Sequence, residues 1–104
     1  PLVARALDLL AARLDEPPGN AALGRALGVH PGSLVRRFTA EVGRPPQQHA
    51  RRLRLEEAAR RLVADEAPIE AIAEACGFAD RAHFSRAFAA QWHCPPAAFR
   101  ARNR

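Results

Sequence analysis

The sequence repeats itself, and that repeat leaves few folds open. Shifted by 49 residues, Leu23-Gly24-Arg25-Ala26-Leu27-Gly28 falls on Ile72-Ala73-Glu74-Ala75-Cys76-Gly77. One extra residue in the second copy moves the shift to 50, and Leu34, Arg36 and Phe38 then meet Phe84, Arg86 and Phe88. Ala40 meets Ala90, Pro45-Pro46 meets Pro95-Pro96, and Val42 and His49 meet Trp92 and Phe99. Seven identities in nearly thirty residues exceed what an Ala- and Arg-rich composition explains. One unit is therefore present twice, and it must be small enough for two copies to fit in 104 residues. A chain of this length reads as one ordinary domain, with room for a modest hydrophobic core and not for two independent ones.

The unit is helical. No run alternates β-branched residues, whereas apolar residues recur with helical spacing. Val3, Leu7, Leu10 and Leu14 mark a first helix that ends before Asp15-Glu16-Pro17-Pro18-Gly19. Asn20 is expected to cap a second helix running to Leu27, with Gly28 as its stop. A third begins near Pro31, turns Leu34, Phe38 and Val42 inward and stops at Gly43. Pro45-Pro46 restarts the chain into a helix from about Pro46 to Ala64, with Leu55, Ala58, Ala59 and Leu62 as its inner stripe. Pro68 opens a fifth helix bearing Ile69, Ile72, Ala73 and Cys76. Asp80 caps a sixth bearing Phe84, Ala87, Phe88 and Trp92, and Pro95-Pro96 starts a short seventh bearing Phe99. The expected fold is all-α: seven helices forming two helix-turn-helix subdomains, about 3–45 and 65–102, joined by a connector helix over about 46–64.

A short helix, a Gly-containing turn and a second helix with an outward arginine is the layout whose second helix enters the DNA major groove. Charge agrees with that layout. The 16 cationic side chains are all arginine and the formal net charge is +5. Residues 25–54 hold seven Arg and one acid, and residues 81–104 hold five Arg and no acid. The stretch between them, 55–80, is acidic, so each basic block coincides with one second helix. Arginine's planar fork suits phosphate and guanine, although codon bias in a GC-rich genome accounts equally for the missing lysine. A connector of nineteen residues spans about 28 Å, close to the roughly 34 Å between successive major grooves on one DNA face. The composition is too apolar for a disordered basic tail, and no apolar stretch is long enough to span a bilayer. No secretory leader opens the sequence. Pro1 stands directly before the first helix without a methionine, so the chain is expected to be a fragment or processed form.

With these residues in place, the chain resembles the two-repeat DNA-binding domain of the AraC/XylS family of bacterial transcription regulators. The resemblance runs from Val3 to Arg100. It is carried by Leu34-Val35-Arg36-Arg37-Phe38, by Gly43 followed by Arg51-Arg52-Leu53-Arg54-Leu55-Glu56-Glu57-Ala58, and by Ile69 to Phe78, Phe84-Ser85-Arg86-Ala87-Phe88 and Pro96-Ala97-Ala98-Phe99-Arg100. It implies base-reading positions on the third and sixth helices. By position these are Gly32, Val35 and Arg36 in the first repeat, and Arg81, Ala82, Ser85 and Arg86 in the second. Arginine can donate two bonds to guanine, and Val35 can pack on a thymine methyl. The second repeat, with more polar positions, is expected to supply more of the readout. Arg37, Arg51, Arg52 and Arg100 are expected phosphate contacts. The implied partners are double-stranded DNA and RNA polymerase, with an effector or dimerisation domain upstream in the full-length protein; the implied location is cytoplasmic, with the nucleoid. His30 stands where a capping Ser is usual, His93 where Gly is common, Gly24 where Ala is expected and His49 where an aromatic is common.

The same residues also admit structural readings. Glu56 with Arg60, and Glu57 with Arg61, have the spacing of helical ion pairs. Arg54 is expected to tie the connector to a repeat. The Phe and Trp residues at helical spacing read as core. Cys76, His83, His93 and Cys94 lack the spacing of zinc ligands, the two cysteines make no disulfide framework, and Cys76 reads as buried and inert. No nucleophile-and-base arrangement or phosphate loop is recognisable, so neither an enzyme nor a cofactor or metal is expected. The alternative function is a basic helical module that binds an acidic protein and has no specific DNA target.

Overall fold

A computed structural model describes residues 1–104. It contains seven helices and no strand: α1 (Leu2–Ala12), α2 (Asn20–Leu27), α3 (Pro31–Val42), α4 (Pro46–Ala64), α5 (Ile69–Ala75), α6 (Arg81–Trp92) and α7 (Pro96–Arg102). The chain divides into two compact units, Pro1–Arg51 and Arg52–Arg104, and the division falls inside α4. Chain length suggested room for only one core. Each unit instead buries its own cluster, because each copy of the repeat brings its own apolar stripes and α4 contributes one stretch of itself to each.

In the first unit, Val3, Ala6 and Leu10 of α1 meet Leu23 and Leu27 of α2, Leu34 and Phe38 of α3, and Ala50 of α4. Leu7 is only half-buried and Leu14 lies beyond the end of α1 at Ala12; Ala6 takes the inward place instead. The α2–α3 turn is built on two glycines with different duties. Gly28 closes α2 in the left-handed region at φ 71°, where a side chain is disfavoured. Gly24 gives room: a Cβ there would lie 2.7 Å from the Val29 carbonyl oxygen and 3.2 Å from the Pro31 ring. His30 does the work of the usual capping Ser, its Nδ1 accepting from the Gly32 N–H at 3.0 Å. Asn20 does not cap α2. It is the first residue of the helix, and its Oδ1 accepts from Gln47 Nε2, which also donates to the Pro18 carbonyl. The side chain is thereby drawn toward the start of α4 and away from the α2 backbone. His49 meets Phe38 edge-on at 5.8 Å.

In the second unit, Leu55, Ala58, Ala59 and Leu62 of α4 pack with Ile72, Ala73, Cys76, Phe78, Phe84 and Phe88. Trp92 and Phe99 close the cluster, each ring centroid 5.3 Å from the other, and Phe99 also lies 5.3 Å from Phe88. The aromatic residues are core, as their spacing indicated. Trp92 satisfies its indole N–H on the Leu55 carbonyl. Arg54 ties α4 to the α5–α6 turn: Nη1 donates to the Gly77 carbonyl at 3.1 Å, and the guanidinium lies 4.8 Å from the Phe78 ring centre. Asp80 caps α6 through a 2.7 Å bond from the His83 N–H. His93 ends α6 in the left-handed region at φ 64°, a conformation that glycine reaches without strain.

The α4 ion pairs differ in one respect from the expected spacing. Glu57 takes both Arg60, through two 2.8 Å bonds, and Arg61 at 2.9 Å. Because Arg60 is already held by this paired contact, Glu56 turns back to Arg52 at 3.7 Å.

Candidate nucleic-acid interface

Each helix-turn-helix unit buries one face of its second helix and leaves the other to solvent. In α3 the buried face is Leu34 and Phe38; Arg36 and Arg37 are exposed, and Gly32 and Val35 half-buried. In α6 the buried face is Phe84 and Phe88; Arg81, Ala82 and Arg86 are exposed and Ser85 is half-buried. The seven residues expected to read bases thus form two groups, one per unit, each off its own core stripe. This is the consequence of 3.6 residues per turn acting on the same pattern twice.

The arginines within these groups are not equivalent. Arg86 and Arg37 make no hydrogen bond or ion pair within the protein. Arg36 donates from Nη2 to Ser33 Oγ one turn earlier at 3.2 Å, and Arg81 pairs with Glu70 of α5 at 3.4 Å. Ser33 and Glu70 were not singled out by sequence reasoning. For Glu70 a signal existed: at the 49-residue shift it falls on Ala21, and Glu74 falls on Arg25. The second unit therefore carries acid where the first has none. Glu70, Glu74 and Asp80 line an open cavity of about 480 Å³ at the α5–α6 corner, together with Phe78 and Arg81.

Among the expected phosphate contacts, Arg37, Arg51 and Arg52 are exposed, and Arg52 shares its charge with Glu56. Arg100 has other partners. Its Nε donates to the Leu62 carbonyl at 2.9 Å, and its Nη2 to the carbonyls of Ala67 at 2.7 Å and Asp65 at 3.3 Å. These are the carbonyls that the end of α4 leaves without helical partners, and those of the segment after it. Arg104 adds a bond to the Asp65 carbonyl and an ion pair with Glu66.

Two further titratable groups, Glu57 and Cys76, are shifted by their surroundings. The bonds from Arg60 hold the Glu57 carboxyl at about 2, against an ordinary 4.5, with Arg61 assisting and partial burial opposing. Burial pushes the Cys76 thiol up, which disfavours the reactive thiolate. Cys94 is also a buried free thiol. No three His, Cys, Asp or Glu side chains converge as a metal ligand set, and no helix is long and apolar enough to cross a membrane. What the exposed arginines of α3 and α6 offer chemically is paired, rigid N–H donors, suited to an acceptor pair such as guanine O6 and N7 or to phosphate oxygens.

The sequence pattern of the helix-turn-helix domain family matches residues 23–102. In structure the chain is similar to a transcriptional regulator of Chromobacterium violaceum described by its AraC-type DNA-binding domain. The TM-score is 0.94 at 29% identity, over 99% of this chain and 92% of that one. It is also similar to the DNA-binding domain of AdpA, a global transcriptional factor solved in complex with a target DNA. There the TM-score is 0.87 at 25% identity, over 95% of this chain and 89% of the other. In sequence it is 46% identical over 56 residues to the transcriptional activator RhaS of Pectobacterium carotovorum. That match takes in 54% of this chain and 20% of RhaS, so the matched segment spans about a fifth of the length of such relatives and the chain is only part of one.

Proposed function

This chain belongs to the helix-turn-helix domain family of the AraC type, and on that premise we propose that it is the sequence-specific, double-stranded DNA-binding part of a bacterial transcription regulator. One observation carries the reading most directly. Two units, each packed on its own core, present an exposed arginine at the same point of the second helix, Arg36 in one and Arg86 in the other. Each second helix enters a major groove. Gly32, Val35 and Arg36 face bases in the first, and Arg81, Ala82, Ser85 and Arg86 in the second. The two copies of the repeat, each with its own second helix, support a reading in successive grooves. Arg37, Arg51 and Arg52 hold register on phosphates, while Arg100 serves the protein's own backbone.

The part of a RhaS-like protein that lies outside this chain would house an effector or dimerisation domain, and RNA polymerase is the further partner this reading implies. The family and the relatives are transcription regulators, and we assign no catalytic activity or cofactor to this domain. A reader of chromosomal DNA works in the cytoplasm, at the nucleoid.

The test is a titration with duplex DNA across a salt series, with single-stranded DNA as competitor. Affinity for duplex is expected to fall steeply with salt, with a slope of about −0.9 per phosphate neutralised. No duplex binding tighter than micromolar at low salt would overturn the reading and favour a module that binds an acidic protein.

A further inference from the structure

We propose that Glu70 sets sequence specificity, by holding Arg81 away from DNA that does not offer it the right base. The proposal rests on the DNA-binding reading above. Glu70 Oε1 lies 3.4 Å from Arg81 Nη1 and so links α5 to the first residue of α6. Glu74 and Asp80 line the same open cavity as Glu70 and Arg81, which makes the corner acidic, although only Glu70 pairs with the guanidinium. The first unit has no counterpart of this arrangement: Ala21, Arg25 and Pro31 stand where the second has Glu70, Glu74 and Arg81. The acid is thus a local addition to a shared framework. It sits beside a helix otherwise suited to an anion.

A guanidinium has five N–H donors arranged along two usable edges. With Nη1 on Glu70, the edge formed by Nε and Nη2 stays free for the two acceptors of a guanine, so Arg81 can read a base without leaving Glu70. A phosphate met out of register asks for something different. It draws the guanidinium away and leaves Glu70 facing the charge of the DNA, where like charges repel. An exposed pair of this length holds weakly in water, so the effect on Arg81 is a bias between contacts and not a lock. Arg86, five residues further along α6 and without a partner, is not subject to this bias.

The experiment compares wild type, Glu70→Gln, Glu70→Asp, Arg81→Ala and the Glu70→Gln/Arg81→Ala double variant. Binding of the 104-residue chain is measured by fluorescence anisotropy on a duplex selected from a random pool and on a scrambled duplex of equal composition, over a salt series. Glu70→Gln is expected to tighten scrambled binding by about three- to tenfold and to steepen its salt slope by about one phosphate. The selected duplex gains less, so the discrimination ratio falls; Glu70→Asp keeps the charge and most of the ratio. In the Arg81→Ala background, Glu70→Gln should leave the ratio unchanged. Glu70 also stands in the first turn of α5, where its charge favours the helix, so thermal unfolding of each variant is measured alongside. A purely structural Glu70 would move the melting temperature and not the ratio, which would overturn the proposal. So would an equal loss of ratio with and without Arg81. A wild-type chain that does not discriminate duplexes overturns the DNA-binding reading and this inference together. A discriminating wild type with an indifferent Glu70→Gln overturns this inference alone.

Discussion

Replacing Arg100 with alanine separates two roles that one arginine near the C-terminus of a DNA-binding domain can have. In the structure the guanidinium joins three backbone carbonyls: Leu62 in the last turn of α4, and Asp65 and Ala67 in the segment leading to α5. Hydrogen bonds from a charged donor contribute about 1.5–3 kcal/mol each where they are shielded from water. Two of these bonds are partly buried; the third, to Asp65, is exposed and duplicated by Arg104. Discounting for exposure leaves about 2–3 kcal/mol for Arg100→Ala, a large fraction of the 5–15 kcal/mol typical of a domain. In a chain of this size that corresponds to a fall in Tm on the order of 10 °C. Arg100→Lys keeps the charge, but one ammonium cannot span three carbonyls, so it should recover less than half of the loss. Urea unfolding followed by far-ultraviolet circular dichroism measures the stability, and duplex binding over a salt series measures the phosphate role. An unchanged midpoint in Arg100→Ala, with a salt slope shallower by about 0.9, would refute the reasoning and return Arg100 to the DNA backbone.

Other substitutions test other parts of the account. Gly24→Ala gains about 1 kcal/mol of helix propensity. The new Cβ would nonetheless sit 2.7 Å from the Val29 carbonyl oxygen, so a net loss of about 1–3 kcal/mol is expected in thermal unfolding; a raised Tm would show that the turn yields. Glu57, held at about 2 in the folded chain against 4.5 ordinarily, contributes stability that is fully present above pH 4.5 and lost as pH falls toward 2. Because Arg60 is largely exposed, the contribution is about 1 kcal/mol after screening. Glu57→Gln should therefore be less stable than wild type at pH 7 and converge with it near pH 2; equal stability at pH 7 would contradict this. Arg86→Ala should weaken the selected duplex by about 1–3 kcal/mol and leave a scrambled one nearly unchanged. Arg36→Ala should cost less, and the reverse order would refute the larger share assigned to the second unit.

Much of the fold is legible in the sequence. Helical period, proline starts and glycine stops placed α3, α4 and α7, because each of these signals acts within one turn of the residue that carries it. The same locality explains Asp80 as the cap of α6. The sequence says least where a side chain's partner is distant in the chain. Asn20 has the right chemistry for a cap, yet it bonds Gln47, 27 residues on. Arg100 looks like any exposed cation until the carbonyls of Leu62, Asp65 and Ala67 are brought to it. Competition was equally hidden. Glu56 and Arg60 have a favourable spacing, but Glu57 already holds Arg60 with two 2.8 Å bonds. Of the interface, the positions on α3 and α6 follow from period and repeat, whereas the tethers on Arg36 and Arg81 depend on contacts that periodicity does not encode.

The central claim is that two helix-turn-helix units read one duplex, each through its own second helix. Selecting bound sequences from a random duplex pool tests it most directly. The account predicts two blocks of constrained bases with centres about 10–10.5 base pairs apart. A guanine in one block should lose its enrichment in Arg86→Ala, and a guanine in the other should lose it in Arg36→Ala. A pool that emerges without enrichment, or with a single block indifferent to both substitutions, would contradict it.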